Sequence, residues 1–170
     1  MRNVTGPYRT RYADVFRALG YYLDTSDFHD LTVVETSGGF VITGYRVTLT
    51  ERGPAPELQS YLFADTDIEA LIEQAFERRD AALPHRPLLA AVPVRDGRGR
   101  YEDVLRGIGT LIDERNWQAV TVVQTHAGFQ VKGFHGDKAN DTFLDAAALR
   151  KMLDELPSQR KRTWHKRFRW

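Results

Sequence analysis

Arg9-Thr10-Arg11-Tyr12-Ala13-Asp14-Val15 is echoed 89 residues later by Arg98-Gly99-Arg100-Tyr101-Glu102-Asp103-Val104. The correspondence continues without a gap: over positions 9 to 45, 15 of 37 residues are identical. They include Arg17/Arg106, Gly20/Gly109, Asp24/Asp113, Thr32-Val33-Val34 against Thr121-Val122-Val123, Gly39-Phe40 against Gly128-Phe129, and Gly44/Gly133. A period this long, present twice, points to duplication of a domain-sized unit. A solenoid needs three or more short repeats to bury its faces.

Each copy has the same local pattern. Tyr12, Val15, Phe16, Leu19, Tyr22 and Leu23 recur at helical spacing, as do Tyr101, Val104, Leu105, Ile108, Leu111 and Ile112, so an amphipathic helix opens each unit. Leu31 to Thr36 and Val120 to Thr125 are β-branched runs that turn at Ser37-Gly38-Gly39 and His126-Ala127-Gly128 into Phe40–Thr50 and Phe129–His135. Tyr61-Leu62-Phe63 and Thr142-Phe143-Leu144 read as a third strand, with a long loop from Glu51 to Gln59 before the first. A helix closes each unit, opened by a capping box at Thr66-Asp67-Ile68-Glu69 in one and by Asp145 in the other, and ended by Pro157 in the second.

The expected fold is therefore α+β: a tandem duplication of an α-β-β-β-α unit forming a pseudo-two-fold pair, with an antiparallel three-stranded sheet in each unit. The expected divisions are a first repeat with an N-terminal arm (1–80), a proline-containing linker (81–100), a second repeat (101–157) and a C-terminal tail (158–170). A three-stranded sheet with one helical layer leaves its second side uncovered. Those second sides, or the edge strands beside them, are expected to join the units. They carry Val41, Thr43 and Tyr45 in one copy and Gln130, Lys132 and Phe134 in the other.

The paired glycines read as close approaches. Gly44 and Gly133 interrupt strands, and Gly20 and Gly109 lie a turn after Phe16 and Leu105, which predicts tight helix–sheet contact. Asp24 and Asp113 end the first helices, where the helix dipole disfavours negative charge, so a turn built on the Asp side chain is expected. Arg9, Arg11, Arg98 and Arg100 precede those helices. They pair with nearby acids such as Asp14 and Asp103 or form two equivalent anion sites.

Chemistry-bearing patterns are sparse. Without cysteine there are no disulfides, thiol nucleophiles or thiolate metal sites. His29, His85, His126, His135 and His165 lack two-ligand helical spacing, and no phosphate-cradling loop, dinucleotide glycine fingerprint or nucleophile elbow occurs. No metal, cofactor or catalytic residue is assigned, and an enzyme is the minority reading. No stretch is apolar enough to cross a bilayer, and a cytoplasmic protein is the expectation.

Charge separates the possible partners better than motif does. The formal net charge is +1, yet residues 12–80 carry 5 basic and 13 acidic residues and residues 101–157 carry 6 and 9. Gln159 to Trp170 holds six basic residues, no acid and three aromatics, which are Arg160, Lys161, Arg162, Trp164, Lys166, Arg167, Phe168, Arg169 and Trp170. Helix–three strands–helix is also the element order of double-stranded RNA-binding domains, which grip phosphates with lysines opening the second helix. Asp65-Thr66-Asp67 and Asp145 stand there instead, so only the order is shared. The functional expectation is a non-catalytic binding or assembly module acting through a protein partner or self-association. Nucleic-acid binding through the tail and the paired arginines is the alternative.

Overall fold

A computed structural model describes residues 11–26, 28–77 and 100–156. Helix α1 (Tyr12–Thr25) leads into strands β1 (His29–Thr36), β2 (Gly39–Thr50) and β3 (Gly53–Ala64) and helix α2 (Asp65–Glu77). The same order follows in α3 (Tyr101–Arg115), β4 (Gln118–Thr125), β5 (Gly128–His135), β6 (Lys138–Asp145) and α4 (Ala146–Glu155). The six strands form one antiparallel sheet in the order β3-β2-β1-β4-β5-β6.

Three of the four hairpin turns use the same local device. The hydroxyl of the last strand residue donates to a carbonyl three residues on and accepts an N–H two residues on: Thr36 with Gly39 and Gly38, Thr125 with Gly128 and Ala127, and Thr50 with Gly53 and Arg52. The third of these corrects the sequence reading. Residues expected to loop, Glu51 to Gln59, instead belong almost wholly to β3, which pairs with β2 in unbroken register from Gly39↔Ala64 to Thr50↔Gly53. Pro54 and Pro56 argued for a loop, but β3 is an edge strand, and an edge strand tolerates residues that lack an N–H.

The register also locates what lengthens this hairpin. Tyr45↔Leu58 corresponds to Phe134↔Ala139, and between them lie Arg46 to Glu57 in one half but only His135 to Lys138 in the other. The first half thus gains an even number of residues per strand, which leaves every later side chain on its expected face.

Most apolar side chains of α1 and α3 face the sheet or each other, while Ala18 and Tyr21 of α1 pack against Leu71 and Ile72 of α2. Phe16, Leu19, Leu31, Ile42, Leu105, Ile108, Phe129 and Leu149 are fully buried, and each contributes on the order of 1.5–3 kcal/mol by leaving water. The helices lie antiparallel and touch through their glycines. A Cβ on Gly109 would stand 2.5 Å from the Tyr12 carbonyl oxygen, and one on Gly20 would strike the Tyr101 carbonyl. The helix–sheet contact predicted for this pair is therefore a helix–helix contact, with backbone packed directly on backbone. Gly44 and Gly133 meet Phe28 and Trp117, the buried aromatics that precede β1 and β4.

The two halves join through their edge strands β1 and β4. Thr32↔Val123, Val33↔Val122 and Val34↔Thr121 pair, centred on Val33 and Val122. All four helices have cores on one side of the resulting sheet, and the other side carries no layer among the described residues.

Candidate binding face of the sheet

Alternation along each strand decides what the uncovered side displays. Leu31, Val33, Phe40, Ile42, Val122, Phe129 and Val131 point under the helices and are buried. Their neighbours point outward: Val34 beside Val41 and Leu62, and Thr121 beside Lys132 and Asp141. Tyr45, Val47, Leu49, Leu58, Leu62, Phe134 and Phe143 are exposed on this side, Leu49 at 88% and Leu62 at 60%. Polar positions among them are mostly uncharged. The hydroxyls of Thr43 and Ser60 bond each other across β2 and β3 at 2.9 Å, and Lys132 stands directly opposite Asp141.

Of the residues singled out from sequence, Tyr45, Lys132 and Phe134 lie on this one face, Tyr45 stacked on the His29 ring at a centroid distance of 6.3 Å. Sequence reasoning missed Val47, Leu49, Leu58, Leu62 and Phe143. Val47, Leu49, Leu62 and Phe143 fell within strands read from the sequence, whose two-residue alternation carried the signal, and only Leu58 lay in the stretch that Pro54 and Pro56 concealed.

Arg11 and Arg100 occupy the N-cap positions of α1 and α3, without side-chain caps of their own. The cap comes from the opposite helix. Asp113, near the end of α3, accepts the Tyr12 and Ala13 N–H groups at 3.0 Å each, and Asp24, near the end of α1, accepts those of Tyr101 and Glu102 at 3.0 Å each. The turn expected on these aspartates is replaced by a reciprocal clamp, in which each carboxylate neutralises the positive end of the neighbouring helix. The backbone donors that an outside anion would use beside Arg11 and Arg100 are taken. Burial pushes Asp24 up to about 7, against the pull of its two N–H donors, with Glu102 raising it further and Arg100 lowering it. Burial also raises Asp103, with the Glu102 charge adding to it and Arg100, Arg106 and Arg17 opposing.

A second reciprocal pair closes the strand junction. Both β1 and β4 bulge, with Asp30 and Ala119 at positive φ, and each bulge frees a backbone N–H. Glu35 accepts from Val120 N at 3.0 Å and from Tyr12 Oη at 2.7 Å, while Gln124 accepts from Leu31 N at 3.3 Å and from Tyr101 Oη at 2.6 Å. Arg17 and Glu102, both buried, form an ion pair at 3.0 Å between α1 and α3, where the corresponding positions 106 and 13 hold Arg and Ala.

No family model, curated protein or solved structure matches the chain. Its function is therefore argued from its own residues. Among the described residues no group of three His, Asp or Glu side chains could hold a metal ion. No described helix is long and apolar enough to cross a membrane. A shallow pocket of about 320 Å³ lies between α1, β3 and α2, lined by Tyr22, Tyr61, Phe63 and Asp67 among others, and neither Asp24 nor Asp113 borders it. Arg9, Arg98 and the tail candidates Arg160, Arg162, Trp164, Lys166, Arg167, Phe168, Arg169 and Trp170 lie outside the described residues.

Proposed function

We propose that this chain is a tandem duplication of an α-β-β-β-α unit, built as a pseudo-two-fold pair, and that it works as a non-catalytic binding or assembly module. The working surface is the uncovered side of the sheet, and its occupant is protein. The observation that carries this reading is the row of large apolar side chains on that side, five of them on β2 and β3 and two on β5 and β6, all more than a third exposed. Monomeric proteins seldom expose contiguous apolar patches beyond about 300–600 Å² unless something binds there.

The duplicated reading is supported by the way equivalent positions share tasks. Asp24 and Asp113, Glu35 and Gln124, Gly20 and Gly109, and Asp30 and Ala119 each do the same job at an offset of 89 residues. The carboxylates an enzyme reading would draw on, Asp24 and Asp113, are engaged in holding helices together. The face test is capture from native lysate using the wild-type chain, a Leu62→Lys/Phe143→Lys variant and nuclease-treated controls. Nuclease-resistant partners held by the wild type and lost by the variant are the expected result. Equal capture by both proteins removes the sheet face as the site.

Nucleic-acid binding remains the second reading because Gln159 to Trp170 combines six basic residues with three aromatics and no acid. That composition suits phosphate contact together with base stacking. It predicts binding of single-stranded oligonucleotides that falls steeply with salt and disappears on deleting residues 159–170. Unchanged binding after that deletion removes the tail from consideration.

A further inference from the structure

We infer that the occupant of this face is a second copy of the chain, docked isologously face to face and centred on the β2–β3 hairpin; this rests on the binding-module reading above. The lengthened hairpin distinguishes the centre of the face from its flank. Beyond Tyr45↔His29, β1 offers β2 no further partner, so residues from Arg46 to Glu57 continue as a two-stranded arm past the sheet body. The arm is two-sided. Val47, Leu49 and the two prolines extend the apolar row of Tyr45, Leu58 and Leu62, while Arg46, Thr48, Thr50 and Glu57 point the opposite way. Leu49 at 88% exposure and Val47 at 56% therefore have their apolar contact supplied from outside this chain's described body.

Three properties select a second copy. First, a two-fold axis makes residues near it meet their own counterparts, so a charge there would face itself. From Val41 to Leu49 and from Pro54 to Leu62 the outward side of the hairpin carries no charge, and its hydroxyls at Thr43 and Ser60 already satisfy each other. A partner chosen by charge complementarity would find nothing there to read. Second, the area is sufficient. Strands of 12 residues run about 40 Å and are about 10 Å wide as a pair, and β1 adds about 5 Å of width over its 8 residues, giving about 500 Å² per copy. Two copies bury about 1,000 Å², the threshold for a specific interface, which sets a weak, reversible association. Third, edge-to-edge growth is blocked at the arm, where Pro54 and Pro56 remove backbone donors. For the arm, packing of outward faces is the route left open, as in sandwiches of two sheets spaced about 10 Å apart.

The test is sedimentation velocity of the full chain from about 1 to 100 µM, spanning the range where a weak interface of this size associates. Four proteins are compared: wild type, Leu62→Lys, a shortened-arm variant in which Arg46–Glu57 is replaced by the sequence of His135–Lys138, and Phe143→Lys on the flank. Circular dichroism checks the fold of each. If the lysine substitution unfolds the chain, Leu49→Asp at the arm tip reads the same contact from outside the sheet body. A wild-type dimer, at least tenfold weakened by Leu62→Lys or Leu49→Asp and by arm shortening but little changed by Phe143→Lys, is the expected result. A wild type that is monomeric throughout, or a dimer indifferent to the hairpin variants, overturns the inference. The binding-module reading survives a monomeric wild type if lysate capture still depends on Leu62 and Phe143. It falls as well if capture does not depend on them.

Discussion

Replacing Asp24 by Asn removes one ionisable group from the clamp between α1 and α3 while leaving an oxygen to accept a backbone N–H. Asp24 has its carboxyl raised from 3.8 to about 7, first by burial and against the two N–H bonds from Tyr101 and Glu102. The folded chain therefore keeps this proton over a range in which the unfolded chain has released it. Stability falls wherever the folded state binds more protons, so this contribution is fully present below about pH 4 and is lost as pH rises to about 7. A shift of about three units at about 1.4 kcal/mol each sets an upper value of about 4 kcal/mol. Urea unfolding of wild type and Asp24→Asn at half-unit steps from pH 4 to pH 8 reads it directly. The difference between the two proteins should change by a few kcal/mol in favour of the variant as pH rises, because every other titrating group is common to both. Parallel stability curves across the window would refute the reasoning, and a difference of the opposite sign would show that the two N–H bonds outweigh burial.

The close approach of the helices predicts contrasting outcomes at two glycines in α3. Gly109→Ala drives a methyl into the Tyr12 backbone and should lose about 1–3 kcal/mol in thermal or urea unfolding. Gly107→Ala meets only the end of the Met152 side chain, so the helix-propensity gain of about 1 kcal/mol should leave it near or above wild type. At the strand junction, Glu35→Ala strips the acceptor from Val120 N and Tyr12 Oη and should lose about 1–3 kcal/mol. Glu35→Gln should unfold close to wild type, because Gln124 does the same work in the other half.

The parts of the fold legible in sequence were those fixed by local pattern. The helices at Tyr12 and Tyr101, the hairpins after Thr36 and Thr125, and the Asp145 cap on Ala148 N each depend on residues near one another in the chain. The second helix was placed correctly, but its cap runs from Asp67 back to Ala64 N, so the helix begins at Asp65 ahead of the predicted box. Prolines concealed the first half of β3, because an edge strand and a loop share that signal. The clamp was hidden for a different reason. Asp24 acts on Tyr101 and Asp113 on Tyr12, and nothing local in either helix marks a carboxylate as the cap of a distant one. The 89-residue offset held the clue, since antiparallel packing of α1 on α3 brings each helix end beside the other's beginning. The sheet face was half legible: Tyr45, Lys132 and Phe134 were identified, Val47, Leu49, Leu62 and Phe143 lay in strands read from the sequence but were not singled out, and Leu58 was lost in the stretch read as a loop.

Whether the uncovered sheet is where this protein acts can be read most directly by hydroxyl-radical footprinting, comparing dilute purified chain with the chain in its native lysate. Protection of Tyr45, Leu58, Leu62 and Phe143 in the lysate, with α1 and α4 labelled equally in both, is the predicted pattern. Protection confined to the helical layer, with the sheet residues labelled alike in both samples, would contradict it.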